Sequence, residues 1–234
     1  MKPKLPLGRL LIIPAAVLVW GTTMAVPASA APTTSCPDVQ VVFARGTGEP
    51  AGVGRVGEAF VEELRPLVGG KSVDVYAVNY PATRDFLLAA DGANDASLFV
   101  QNVVINCPDT QIVLGGYSQG AAVIDAITVA QTPTLGFTQP MPDAVADRVA
   151  AVAVFGNPSI RLLGGPLTAL SPLYGSKSID LCNGADPVCS NGNDVAAHSL
   201  YDQSGLTTQA AQFVADRLAS PSPAAPINTL SGQN

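Results

Sequence analysis

Histidine and tryptophan each occur once in this chain of 234 residues, and charged residues make up only 13 % of it. Chemistry that needs a cluster of imidazoles is therefore excluded, and any role for a single imidazole falls to His198. Basic residues number 12 against 18 acidic ones, and after residue 30 they nowhere cluster. Nucleic-acid binding leaves a basic patch, so a formal net charge of −6 argues against such a partner. No uninterrupted apolar run reaches the roughly 20 residues that span a bilayer. The nearest approach, Leu10 to Trp20, is short and interrupted by Pro14.

The beginning of the chain has the pattern of an export signal. Lys2, Lys4 and Arg9 precede that apolar stretch, and Ala28-Ser29-Ala30 follows it. This predicts a signal peptide over residues 1–30 and a secreted product, extracellular or associated with the cell wall. Its removal takes three basic residues and no acidic ones, leaving nine against 18, a net charge of −9. Residues 31–219 suffice for one domain with a substantial core. Residues 220–234, rich in proline, serine and alanine, have linker composition and are expected to be disordered.

The four cysteines of an exported protein suggest two disulfides, with three connectivities formally open. Cys36 and Cys107 each lie just before a strand-like segment, and parallel strands start at the same end of their sheet. Pairing Cys36 with Cys107 leaves Cys182 and Cys189 to close a short ring. The chain-entropy account gives about 4 kcal/mol for the long ring and about 2.5 kcal/mol for the short one, which is better explained as shaping a loop.

Strand-like and helix-like segments alternate. Strands are expected near Val39–Ala44, Val73–Val78, Thr110–Gly116, Val149–Phe155 and Ser178–Leu181. Helices are expected near Val56–Val68, Asp91–Val104, Gln119–Ala130 and Leu206–Leu218. The alternation predicts one α/β domain with a mostly parallel sheet and helices on both faces.

At the junction of the third strand and its helix stands Gly116-Tyr117-Ser118-Gln119-Gly120. A Gly-x-Ser-x-Gly between strand and helix is the setting of a nucleophile elbow, in which a strained turn lifts the serine hydroxyl clear of the sheet. The helix N-terminus then offers free N–H groups to developing negative charge. A nucleophilic Ser118 needs a base, and His198 follows it in the order Ser, acid, His that α/β-hydrolases use. Lys177 is a weaker candidate, having no evident desolvating neighbourhood. Asp180, Asp186 and Asp194 all lie between Ser118 and His198. Asp186 is favoured because the Cys182–Cys189 ring would fix its loop beyond a strand end. Asp194 suits a cap for the segment carrying His198, and Asp180 falls inside a strand. Oxyanion donors are expected at the Gln119 N–H and at Thr47, in the loop Arg45-Gly46-Thr47-Gly48-Glu49, braced by an Arg45–Glu49 pair.

Gly52-Val53-Gly54-Arg55-Val56-Gly57 matches a dinucleotide-binding pattern. That fingerprint requires its first glycine at the strand-to-helix turn and an acid about twenty positions on. Gly52 lies eight residues past Ala44 and Asp74 opens the second strand, so these glycines read as a loop and helix entry.

Phe43-Ala44-Arg45-Gly46-Thr47-Gly48-Glu49, Gly116-Tyr117-Ser118-Gln119-Gly120 and Asp186-Pro187-Val188-Cys189 ahead of His198 together resemble the cutinase family, its exported mycobacterial-type esterases in particular. The resemblance runs from about Cys36 to Leu218. It implies a small, lidless α/β-hydrolase with Ser118, Asp186 and His198 as triad, Thr47 and Gln119 as oxyanion hole, and the disulfides as above. Many fungal members carry serine where Thr47 stands.

The expected activity is cleavage of short- to medium-chain acyl esters, or of polyester or lipid esters, through an acyl-enzyme. Leu87, Leu88, Val188 and Val195 are candidates for lining an acyl groove. No cofactor or metal is implied, and the expected state is a monomer making transient contact with lipid interfaces. A phospholipase A or thioesterase would use the same triad. A silent binding protein would lack a triad member, and none is missing.

Overall fold

A computed structural model of the chain describes residues 35–220. The expected signal peptide and all but the first residue of the expected tail lie outside the described residues. Five strands form one sheet in the order β2-β1-β3-β4-β5: β1 (Val39–Ala44), β2 (Val73–Ala77), β3 (Gln111–Tyr117), β4 (Val149–Phe155) and β5 (Ser178–Leu181). Every pairing is parallel. Parallel strands joined by crossover helices are buried on both faces, which is why β1 reads Val-Gln-Val-Val-Phe-Ala with no polar alternation and is buried throughout.

The helices fall on both faces, as alternation demands: α1 (Gly54–Leu64), α2 (Ala89–Asn106), α3 (Gln119–Val129), α4 (Ser159–Leu162), α5 (Leu167–Leu170) and α6 (Leu206–Ala219). Successive strand residues point to opposite faces, so one core gathers Val42, Ala44, Leu114 and Val152 with residues of α2 and α3. The other gathers Val41, Phe43, Val113 and Phe155 with residues of α1 and α6. Phe43, Phe60 and Phe155 meet there with ring centroids 6.0 to 6.4 Å apart. Helix α1 is shorter than expected because Pro66 cannot continue it, and a 3₁₀ turn carries the chain on to Val68.

Cys36 pairs with Cys107 and Cys182 with Cys189. The first bond ties the entrance of β1 to the entrance of β3. None of the described helices is long and apolar enough to cross a membrane.

The strand order places the functional region. From β1 the chain moves outward to β2, then back across to β3 and beyond. Neighbouring connections therefore leave the carboxyl ends of β1 and β3 in opposite directions, opening a crevice between them. The Thr47 loop follows β1 and Ser118 follows β3, so both stand at that crevice.

Candidate active site

Ser118 sits between β3 and α3 with φ 56° and ψ −116°, a conformation non-glycine residues rarely adopt. The flanking glycines permit it. A Cβ on Gly120 would overlap the Ala44 carbonyl of β1, and a Cβ on Gly116 would overlap the Gly120 backbone. Strand, turn and helix can pass this closely only without side chains at those two positions. The Gln119 N–H stands at the open N-terminus of α3, where helical N–H groups lack intrahelical partners.

His198 lies in a 3₁₀ turn, Val195–Ser199, that Asp194 caps by accepting from the Ala196 N–H. Its Nε2 is 2.9 Å from Ser118 Oγ and its Nδ1 is 2.7 Å from Asp186 Oδ2. An ionised carboxylate only accepts, which assigns the proton to Nδ1 and leaves Nε2 free to take the serine proton. Asp186 is 0 % exposed. Its Oδ1 accepts from the Val188 N–H at 2.7 Å, and its Oδ2 also accepts from the Tyr201 hydroxyl at 2.7 Å. The short disulfide therefore holds a loop whose carboxylate is fully satisfied and aimed at the imidazole.

The three candidate acids thus separate. Asp186 meets His198 and Asp194 caps the turn carrying it. Asp180 points away, accepting from Asn157 Nδ2 at 2.7 Å. Lys177 is half-buried, contrary to expectation, and burial lowers its pKa. Its Nζ donates to the Ala146 and Val149 carbonyls beside the start of β4, at the far end of that strand from Ser118.

Thr47 Oγ1 donates to Gln119 Oε1 at 3.2 Å, and Gln119 Nε2 donates to the Thr83 carbonyl at 3.0 Å. Gln119 therefore ties the loop after β1 to the loop after β2. Arg45 braces the Thr47 loop differently from the expected carboxylate pair. Its buried guanidinium donates to the backbone carbonyls of Glu49, Val78 and Tyr80. The Glu49 carboxylate instead accepts from the N–H groups of Gly46 and Arg55, joining the loop to the start of α1. Peptide donors satisfy Glu49 locally, and strand-end carbonyls take up Arg45's several donors in a planar fork.

Tyr201 and Tyr117 were not singled out from sequence. The Tyr117 hydroxyl donates to the His198 carbonyl at 2.5 Å, and its ring centroid stands 5.0 Å from the imidazole. Burial, with the Asp186 charge adding to it, raises the Tyr201 phenol well above its ordinary pKa, so it stays a donor. Its place three residues after His198 does not by itself mark it in the sequence. Tyr201→Phe removes that donor while keeping the ring. Hydrogen bonds to charged groups contribute about 1.5–3 kcal/mol, so kcat should fall about tenfold with KM little changed, as measured by steady-state ester hydrolysis.

Beside Ser118 an apolar groove of about 570 Å³ runs along α3. Leu87 lines it, whereas Leu88, Val188 and Val195 do not. The 3₁₀ turn Phe86–Leu88 presents Phe86 and Leu87 outward and leaves Leu88 half-buried. Val195 is exposed on the histidine side of the site. Among the described residues, no group of three or more His, Cys, Asp or Glu side chains is placed to hold a metal ion.

The family model described as Cutinase matches residues 35–218. The chain is 56 % identical over 211 residues to a Mycobacterium tuberculosis protein named Phospholipase Culp4, covering 90 % of this chain and 92 % of that one. It is 53 % identical over 189 residues to Carboxylesterase Culp1 of the same species, covering 78 % and 82 %. Among solved structures, Trichoderma reesei cutinase with a phosphonate inhibitor superposes with a TM-score of 0.64 at 29 % identity, covering 79 % of this chain and 78 % of that one. The catalytic core of acetyl xylan esterase from Trichoderma reesei gives a TM-score of 0.66 at 27 % identity, covering 78 % and 100 %.

Proposed function

We propose, since the chain belongs to the cutinase family and is a carboxylic-ester hydrolase, that it cleaves its ester through an acyl-enzyme on Ser118. The observation that carries this reading is the unbroken line from Ser118 Oγ through both nitrogens of His198 to Asp186. His198 Nε2 takes the proton as Ser118 Oγ attacks the ester carbon. The oxyanion is received by the Gln119 N–H and by Thr47, whose N–H has no hydrogen-bond partner among the described residues. In the resting state the Thr47 hydroxyl is engaged by Gln119 Oε1, so contributing it as well requires a rotation about one bond. The tetrahedral centre collapses, the C–O bond to the alcohol breaks, and His198 returns the proton to the departing oxygen. A water molecule then repeats the cycle, with His198 taking its proton, and the acid leaves.

Asp186 keeps the imidazole in the tautomer this sequence requires and stabilises the imidazolium formed in each half-reaction. The two disulfides support export, because such bonds persist in oxidising compartments. Exposed Phe86 and Leu87 at the edge of the crevice support brief contact of a monomer with a lipid or polyester surface. Hydrolysis of a phospholipid acyl ester is the second reading, favoured by the apolar groove and by the name of the relative that is 56 % identical.

The test is labelling with a fluorophosphonate. Wild-type protein should be modified once, at Ser118, as located by peptide mass spectrometry. Labelling at another serine, or none in a protein that hydrolyses p-nitrophenyl butyrate, would remove Ser118 from the mechanism.

A further inference from the structure

The groove along α3 has no residue of the reactive centre in its lining, yet it begins one helical turn from Ser118. We propose that it holds the acyl chain of the acyl-enzyme, a single alkyl chain of about 12 carbons or more, and that α3 measures its length. The inference rests on the reading of Ser118 as the nucleophile.

Ser118 caps α3, and Ala122, Ala126 and Val129 follow at four, eight and eleven residues, one stripe of the helix. All three line the groove, so its floor starts beside the nucleophile and leads away from it. Two of the three are alanines, which leave the floor open. Asp125 also falls in the stripe, but its carboxyl is turned under the floor, 2 % exposed, and accepts from Asn157 Nδ2. No exposed charge interrupts the stripe.

The walls are apolar and uncovered. Phe86 and Leu87 on one side are 64 % and 76 % exposed, and Leu162 and Leu163 on the other are 77 % and 64 % exposed. Large apolar side chains grouped this way in a soluble domain mark a surface awaiting an apolar partner. At about 570 Å³ the groove is within the range of ligand sites, roughly 300–1,000 Å³.

The chemistry at Ser118 selects which part of the ester lies there. In the tetrahedral intermediate one oxygen faces Thr47 and Gln119, and the departing oxygen must reach His198 Nε2 to receive its proton. The alcohol therefore leaves on the histidine side. The groove contains no residue of the segment 183–200 that carries Asp186 and His198, so the substituent directed into it is the acyl chain. From Ser118 to Val129 the helix advances about 17 Å, the length of an extended chain of roughly 13 carbons. Each methylene buried there should favour binding by up to about fourfold.

The test measures kcat/KM for p-nitrophenyl butyrate, dodecanoate and hexadecanoate in a fixed detergent, for the oxidised wild type and for Ala126→Trp and Val129→Trp. Wild type should favour dodecanoate over butyrate by tenfold or more. Ala126→Trp, which fills the floor midway, should cut the dodecanoate-to-butyrate ratio at least tenfold. Val129→Trp, further along, should cut the hexadecanoate ratio more than the dodecanoate ratio. Should Ala126→Trp lose every activity through misfolding, Leu162→Glu decides the matter, since that side chain is already 77 % exposed and a charge there should lower the same ratio tenfold. A wild type that favours butyrate, or ratios in the variants within twofold of wild type, would overturn the groove assignment while leaving the esterase reading intact. A wild type inert towards butyrate and the longer esters alike would overturn the reading of Ser118, and the groove proposal with it.

Discussion

Ser118→Ala should lower kcat for a p-nitrophenyl ester by about a million-fold, and His198→Ala by nearly as much, with the double variant little worse than either. The non-additivity follows from the geometry. In the proposed mechanism Ser118 Oγ becomes a nucleophile only as Nε2, 2.9 Å away, accepts its proton, so losing either atom removes the same step. What survives should be the assistance of oxyanion donors and substrate positioning, about 10³–10⁴ over the uncatalysed reaction. Asp186→Asn should cost about 10⁴, because an amide in that buried loop can donate to Nδ1 and so favour the wrong tautomer. Steady-state kinetics on the four variants, each with both disulfides confirmed by mass, check the series. Additive losses at Ser118 and His198 would mean that they do not act as a unit.

Much of this arrangement was legible in the chain because it depends on local constraints. The strands β1, β3 and β4 are apolar runs bounded by turns, and parallel strands need no polar face. The elbow was legible because two glycines are demanded by backbone contacts that any side chain would break. With one histidine in the chain, the candidate base had only Lys177 as a rival. The acid was less determined. Asp180, Asp186 and Asp194 all satisfy the order along the chain, and what separates them is direction. Strand alternation turns Asp180 away from Ile179 and Leu181 and towards Asn157, while the short disulfide ring turns Asp186 back to His198. The Tyr201 hydroxyl on Asp186 and the Gln119 bridge between two loops were not legible. They are side-chain contacts between elements remote in sequence, with no periodic pattern to announce them. The expected Arg45–Glu49 pair failed for a related reason. Opposite charges four residues apart suggest a partner, but the strand-end carbonyls and peptide N–H groups nearby satisfied both side chains separately.

Raising the pH from about 4 to about 8 should destabilise the fold through two carboxyls that take no part in the proposed chemistry. Asp125 on α3 and Asp180 on β5 share the Asn157 amide, which donates to Asp125 Oδ1 at 3.3 Å and Asp180 Oδ2 at 2.7 Å. The other oxygen of each, Asp125 Oδ2 and Asp180 Oδ1, is buried without a hydrogen-bond partner. Burial pushes Asp125 up to about 6, and the neighbouring polar groups of Ser159, Asn157 and Thr168 lower it only in part. Burial pushes Asp180 up to about 7, and the neighbouring Asp125 charge adds to the rise. Both folded values exceed the 3.8 of a free aspartate, so between that value and 6 to 7 the folded chain holds protons that the unfolded chain has released. Increasing pH across that window therefore favours unfolding, and the stability present in acid is lost by about neutrality, on the order of several kcal/mol for the pair. Asp180→Asn keeps the shape and removes one of the two titrations. Urea midpoints measured from pH 4 to 8 should fall steeply for wild type and much less for the variant, which should be the more stable protein at pH 8. Parallel curves would show that the pair titrates alike in both states. The same variant also bears on the proposed catalytic assignment, because Asp180 and Asp186 are both carboxyls lying between Ser118 and His198 in the chain. If Asp180→Asn keeps full ester hydrolysis while Asp186→Asn loses it, the acid of the triad is Asp186, and Asp180 serves only the fold. If Asp180→Asn is the inactive one, the carboxylate 2.7 Å from His198 is not the one that catalysis uses.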